Sequence, residues 1–168
     1  MKKPLLIVLT LALAGFLAAC GSKNDEQVSN ELKKQVLMYA QKVKFTQQSE
    51  NNLSENGVFV LSYLNFVLEN EEKHDIFALA VSPKETNTST LRAFMDDKEA
   101  QISPLDESLK KFVVDSDYAA FYKLTFPFKD DAFISVRLCL AAECFELGFQ
   151  KYSKSLYFRS ADVDTLYN

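Results

Sequence analysis

An antiparallel β-sandwich, of general immunoglobulin-like build, is the fold class the sequence predicts for residues 58–168. Three observations predict it. After Gly57 the chain breaks into short apolar runs rich in β-branched and aromatic residues. Polar clusters of turn-forming composition separate these runs, and about eight of them fit into some hundred residues. Against this reading, the body holds only Gly57 and Gly148 as glycines, few for so many tight turns. An N-terminal helix and one short internal helix complete the expected domain.

The chain opens "MKKPLLIVLTLALAGFLAACGS". Lys2 and Lys3 form a basic start, Leu5 to Phe16 an apolar run, and Leu17-Ala18-Ala19-Cys20 a small-residue ending. That order is the pattern of a secretory signal peptide rather than of a core helix. "LAAC" resembles the lipobox of bacterial lipoproteins. The resemblance covers about the first 21 residues and implies cleavage after residue 19, with Cys20 diacylated as the first residue of the mature chain. Acyl chains such as palmitate would then anchor the protein, since each buried methylene contributes about 0.8 kcal/mol. Gly21 rather than Asp follows the cysteine, and by the same resemblance this favours the outer membrane, facing the periplasm or the surface. The expected organisation is a signal peptide at 1–19, a lipidated tether at 20–26, and one globular domain at 27–168.

The mature chain, 149 residues from Cys20, is long enough for a single domain with a sizeable core. Without Lys2 and Lys3 it carries 17 basic and 23 acidic residues, a net charge of −6. Such a balance argues against a general nucleic-acid or anionic-lipid binder.

In the domain, Val28, Leu32, Val36, Tyr39, Ala40 and Val43 recur at spacings of three and four, which predicts a helix over 27–44. The Val36–Met38 run also suits a strand. "TQQSENNLSENG", Thr46 to Gly57, is polar, ends in Asn-Gly and reads as a loop. "VFVLSYLNFVL" and "DIFALAVS" flank "ENEEKH" as a hairpin, and "TLRAFM" and "AQIS" flank "DDKE" as a second. In "SPLDESLKKFV", Ser103 suits a cap and Pro104 the first helical position, predicting a short helix that ends near Phe112. "AAFYKLTF", "AFISVRLCL", "CFELGFQKY" and "KSLYFR" are the remaining strands.

Cys139 and Cys144 are two of only three cysteines. As a hairpin, "FISVRLCLAAECFELGF" places Ile134, Val136, Leu138 and Leu140 on one face and Ser135, Arg137 and Cys139 on the other. A four-residue loop from Leu140 to Glu143 sets Cys139 opposite Cys144, Leu138 by Phe145, Val136 by Leu147, Ile134 by Phe149, and Arg137 by Glu146. A slip of one residue would oppose apolar to polar side chains. Directly opposed residues lie within disulfide range, and an oxidising envelope favours the bond. A redox pair would more often read Cys-x-x-Cys in a βαβ setting.

Catalytic and cofactor motifs are not apparent: the sequence shows no nucleophile elbow, phosphate loop or zincin helix, and no cofactor is expected. His74, the only histidine, precedes Asp75 in what reads as a solvated turn. "DSD" (Asp115–Asp117) and "DVD" (Asp162–Asp164) do not continue into a calcium loop, and no metal site is expected. In the C-terminal "KYSKSLYFRSADVDTLYN", Tyr157, Arg159 and Tyr167 form an aromatic and basic set suited to a partner contact. The expected function is a membrane-anchored, non-enzymatic binding or assembly-accessory module whose partner is another envelope protein. A surface adhesin, or a small envelope hydrolase or redox protein, is the alternative.

Overall fold

The computed structural model describes residues 26–48, 54–68 and 73–151. Helix α1 covers 26–38. Nine strands and one short helix follow: β1 (Gln41–Gln48), β2 (Ser54–Tyr63), β3 (His74–Ser82), β4 (Arg92–Met95), β5 (Lys98–Glu99), β6 (Gln101–Pro104), α2 (Glu107–Lys110), β7 (Ala120–Pro127), β8 (Phe133–Leu140) and β9 (Glu143–Gln150). They form two antiparallel sheets, β1-β2-β3-β7-β6 and β5-β4-β8-β9. Setting β1 aside, β2-β3-β7-β6 facing β4-β8-β9 follows the strand order of an immunoglobulin-type sandwich.

The main core lies between the sheets. Phe59, Leu61, Phe77, Leu79, Val81, Leu124 and Phe126 enter from the five-stranded sheet, and Ala93, Val136, Leu138, Leu147 and Phe149 from the other. Phe77 is its aromatic hub, with ring centroids 5.0 Å from Phe149, 5.1 Å from Tyr63 and 5.8 Å from Phe126. Burying each such ring stabilises the fold by about 1.5–3 kcal/mol. β3 is buried along nearly its whole length, on both faces, which accounts for its unbroken apolar run. Phe77, Leu79 and Val81 face the main core. Ile76 and Ala78 face a second core, formed with Val36 of α1, Leu64, Leu105, Leu109, Phe112 and Val113. One sheet therefore carries helical cover on its outer surface.

Several boundaries differ from those predicted. The helix stops at residue 38, and Gln41–Gln48 is a strand. Val43 and Phe45 alternate there with exposed Lys42, Lys44 and Thr46, a period-two pattern that overrides the helical spacing of Val43. Most of the polar stretch expected as a loop is also strand: Thr46 pairs with Asn56 and Gln48 with Ser54. Asn56-Gly57 is no turn. A Cβ on Gly57 would lie 2.1 Å from Cζ of Phe45, whose ring crosses the glycine from the neighbouring strand.

The first predicted hairpin forms, but β2 ends at Tyr63, and Leu64–Leu68 turns away. There Asn65 Oδ1 accepts the Ile76 N–H at 2.8 Å. In the second, β4 pairs with Lys98–Glu99 and the Ala100 N–H still donates to the Ala93 carbonyl at 2.9 Å, but the rest of "AQIS" crosses to the other sheet in β6 and pairs with β7. Asp96, at φ 52°, supplies the left-handed residue of the β4–β5 turn. Ser103 and Pro104 belong to β6, so the helix begins at Glu107 with Asp106 at its N-cap. The Asp106 carboxylate accepts from Lys123 Nζ at 2.7 Å instead of capping.

Candidate binding surface

Among the described residues, the outer face of β5-β4-β8-β9 is the broad sheet face without helical cover. Alternation builds it: along β8 the burial reads exposed, buried, exposed, buried, so Phe133, Ser135, Arg137 and Cys139 point outward. Cys144, Glu146 and Gly148 do the same from β9, and Arg92 and Phe94 from β4. Phe133 is 69% exposed, a large apolar side chain left in solvent.

Phe94 is the centre of this face. The Arg92 guanidinium carbon lies 4.8 Å from its ring centroid and that of Arg137 5.2 Å, two cation–π contacts on one ring. Arg92 also grips Glu99 through two hydrogen bonds, Nε to Oε1 at 2.7 Å and Nη2 to Oε2 at 3.0 Å. Hydrogen bonding and the charge of its partner hold Glu99 below the usual carboxyl range and Arg92 above its ordinary value. The face thus presents two guanidinium groups lying over a half-buried aromatic ring.

The cysteines bridge. Cys139 and Cys144 form a disulfide across a Cα–Cα separation of 4.1 Å, at the end of the face away from Phe133. Every pairing expected around them is present: Leu138 with Phe145, Arg137 with Glu146, Val136 with Leu147 and Ile134 with Phe149. The hairpin is tighter than expected, since Leu140 pairs with Glu143 and only Ala141-Ala142 make the turn, with Ala141 at φ 52°. Arg137 and Glu146 share a register, but the guanidinium lies over Phe94 and the Glu146 carboxylate accepts from Ser135 Oγ at 3.1 Å.

At the opposite end of the sandwich is a buried cluster. Asp75, read from the sequence as part of a solvated turn, is fully buried, while His74 beside it is exposed. The Asp75 carboxylate accepts from Lys151 Nζ at 2.7 Å (Oδ1) and 2.9 Å (Oδ2), from Tyr63 Oη at 2.9 Å, and from the Lys129 N–H at 2.8 Å. Lys151 Nζ also donates to the Lys129 carbonyl and sits 4.0 Å from the Phe128 ring centroid. A signal for it existed. Strand parity puts Asp75 on the inward face with Phe77, Leu79 and Val81, and Lys151 in line with Phe145, Leu147 and Phe149. A charge at the end of each of two inward faces calls for a partner. The Asp75 oxygens are both occupied, so the cluster fastens β3, the β7–β8 connection and the end of β9 together.

Lys129 continues the network outward, contacting Asp96 at 2.9 Å and Asp131 at 3.0 Å; both hydrogen bonds push its ammonium above its ordinary value. Among the described residues no group of three or more histidine, cysteine, aspartate or glutamate side chains could hold a metal ion, and no helix is long and apolar enough to cross a membrane. Between β1 and β9 a cleft of about 700 Å³ opens, lined by Lys44, Phe45 and Thr46 on one side and Glu143, Cys144 and Phe145 on the other.

No family model matches the chain, and no curated protein or solved structure matches it either. Cys20, Tyr157, Arg159, Tyr167, the "DVD" carboxylates and the strand expected at "KSLYFR" lie outside the described residues.

Proposed function

We propose that the protein is a non-enzymatic binding module held to the bacterial envelope by acyl chains on Cys20, serving another envelope protein. The outer membrane is the expected location, from Gly21 after the lipobox cysteine. The observation that carries the binding role is the unequal cover of the two sheets. Helices and their connections cover one outer face, with Val36, Leu64 and Phe112 in the second core. The other exposes Phe133 and the Arg92–Phe94–Arg137 group. Aromatic and arginine side chains are the residue types that dominate the energetics of protein interfaces.

Crosslinking with pull-down from native membranes tests the reading, using the natural chain beside Arg137→Ala and Phe133→Ser. A reproducible partner lost in both variants supports it. Recovery of the protein alone, or a partner indifferent to both changes, counts against it. Incorporation of labelled palmitate into the natural chain but not into Cys20→Ser tests the anchor separately. Protease shaving of intact cells distinguishes a periplasmic module from a surface adhesin.

A further inference from the structure

Asp75 and Lys151 are a carboxyl and an amine held together where water is excluded, a setting for condensation as well as for an ion pair. Their side chains are 0% and 2% exposed. Nζ stands 2.7 Å from Oδ1 and 2.9 Å from Oδ2. A nitrogen that close to both oxygens of one carboxyl lies within about 3.5 Å of its carbon, the separation of a near-attack conformer. The Phe128 ring, itself partly in solvent, has its centroid 4.0 Å from the nitrogen and shields it.

The other polar groups of the cluster are placed for the same reaction. Tyr63 Oη donates to Oδ1 at 2.9 Å, the oxygen on which negative charge gathers when a nucleophile adds to Cγ. The Lys129 N–H donates to Oδ2 at 2.8 Å, and the Lys129 carbonyl accepts from Nζ. The backbone of one residue therefore orients both reactants. Phe77, packed 5.1 Å from the Tyr63 ring, fills the inner side of the cluster with apolar surface.

We propose that Asp75 and Lys151 condense to an amide, an isopeptide bond that the folded chain forms within itself. The ion pair is the state from which the reaction starts. Nζ passes one proton to Oδ2, and its lone pair then bonds to Cγ while a C–O electron pair moves onto Oδ1. Oδ2 takes a second proton from the nitrogen and leaves as water, and the electron pair on Oδ1 returns to restore the C=O bond. The one N–H left on the amide keeps its hydrogen bond to the Lys129 carbonyl. No oxidant, cofactor or second chain enters the balance. Oriented groups reach effective molarities of about 10⁵–10⁸ M, which offsets the advantage of water in hydrolysis. The bond ties β3 of one sheet to the residue that follows β9 of the other, so the sandwich cannot be drawn open between them. It depends neither on where the protein resides nor on what it binds.

Intact-mass spectrometry and peptide mapping of the natural full chain test this. The folded protein is expected to weigh one water less than its sequence, N-terminal processing counted, and its digest to hold a branched peptide joining the segments around Asp75 and Lys151. Asp75→Ala and Lys151→Met should each recover the full mass. Tyr63→Phe keeps both reacting groups and should slow condensation roughly a hundred-fold, so that unreacted chain is captured early and converts on incubation. Full mass with only unbranched peptides, after prolonged incubation of the folded natural chain, overturns the inference. So does a lost water that persists in Lys151→Met, or one traced to a succinimide, which leaves no branch.

Discussion

Asp75 and Lys151 stand 76 positions apart in the chain, yet carboxylate and ammonium meet at 2.7 Å with the two side chains 0% and 2% exposed. Removing one partner strands the other charge in the interior. Lys151→Met is expected to cost about 3–5 kcal/mol in chemical denaturation. Asp75→Asn with Lys151→Met should cost clearly less than the two single losses together. Additive losses would show that the two groups do not depend on each other.

The disulfide closes a very short loop, so its contribution is small. Cys139→Ser with Cys144→Ser should lower stability by about 2 kcal/mol and leave partner capture intact. A thiol titration of the native protein should find neither cysteine reactive. Loss of capture at unchanged stability would make the pair functional rather than structural.

Gly57→Ala places a methyl where the Phe45 ring already lies, 2.1 Å from Cζ. Phe45 stacks on Phe59 with centroids 4.3 Å apart, so moving it disturbs the core. A loss of about 1–3 kcal/mol is expected. In a Phe45→Leu background the same change should cost much less, and an equal cost in both backgrounds would remove the ring from the explanation.

Arg92 holds Glu99 below the ordinary carboxyl range. The stability this pair supplies is present above the unfolded carboxyl value and is lost as pH falls through the lowered folded value. The thermal midpoint of the natural chain should therefore approach that of Glu99→Gln on acidification. The two curves should separate again by neutral pH. A difference that stayed constant from neutral to strongly acidic pH would exclude the charge of Glu99 as its source.

Strands with one face buried were legible because period two is written in their side chains. β8 and β9 could be paired residue by residue, down to Cys139 against Cys144. The helix end was harder, since Tyr39, Ala40 and Val43 continue the helical spacing by coincidence while Gln41 onward alternates. Asn56-Gly57 looked like a turn because local composition does not reveal an aromatic ring arriving from the next strand. Ser103 and Pro104 read as a helix start because their strand role depends on pairing with β7, which local sequence does not reveal. On the candidate surface, Arg137 was placed correctly, but its preference for Phe94 over Glu146 comes from β4, a neighbour that hairpin reasoning does not see.

Helix α1 is in place by residue 26, six residues after Cys20. Six peptide steps span at most about 20 Å, whatever path they take. If Cys20 carries acyl chains as proposed, the sandwich would ride on a short leash against the lipid headgroups. Its encounters would then become a search in two dimensions, at a local concentration set by the membrane area.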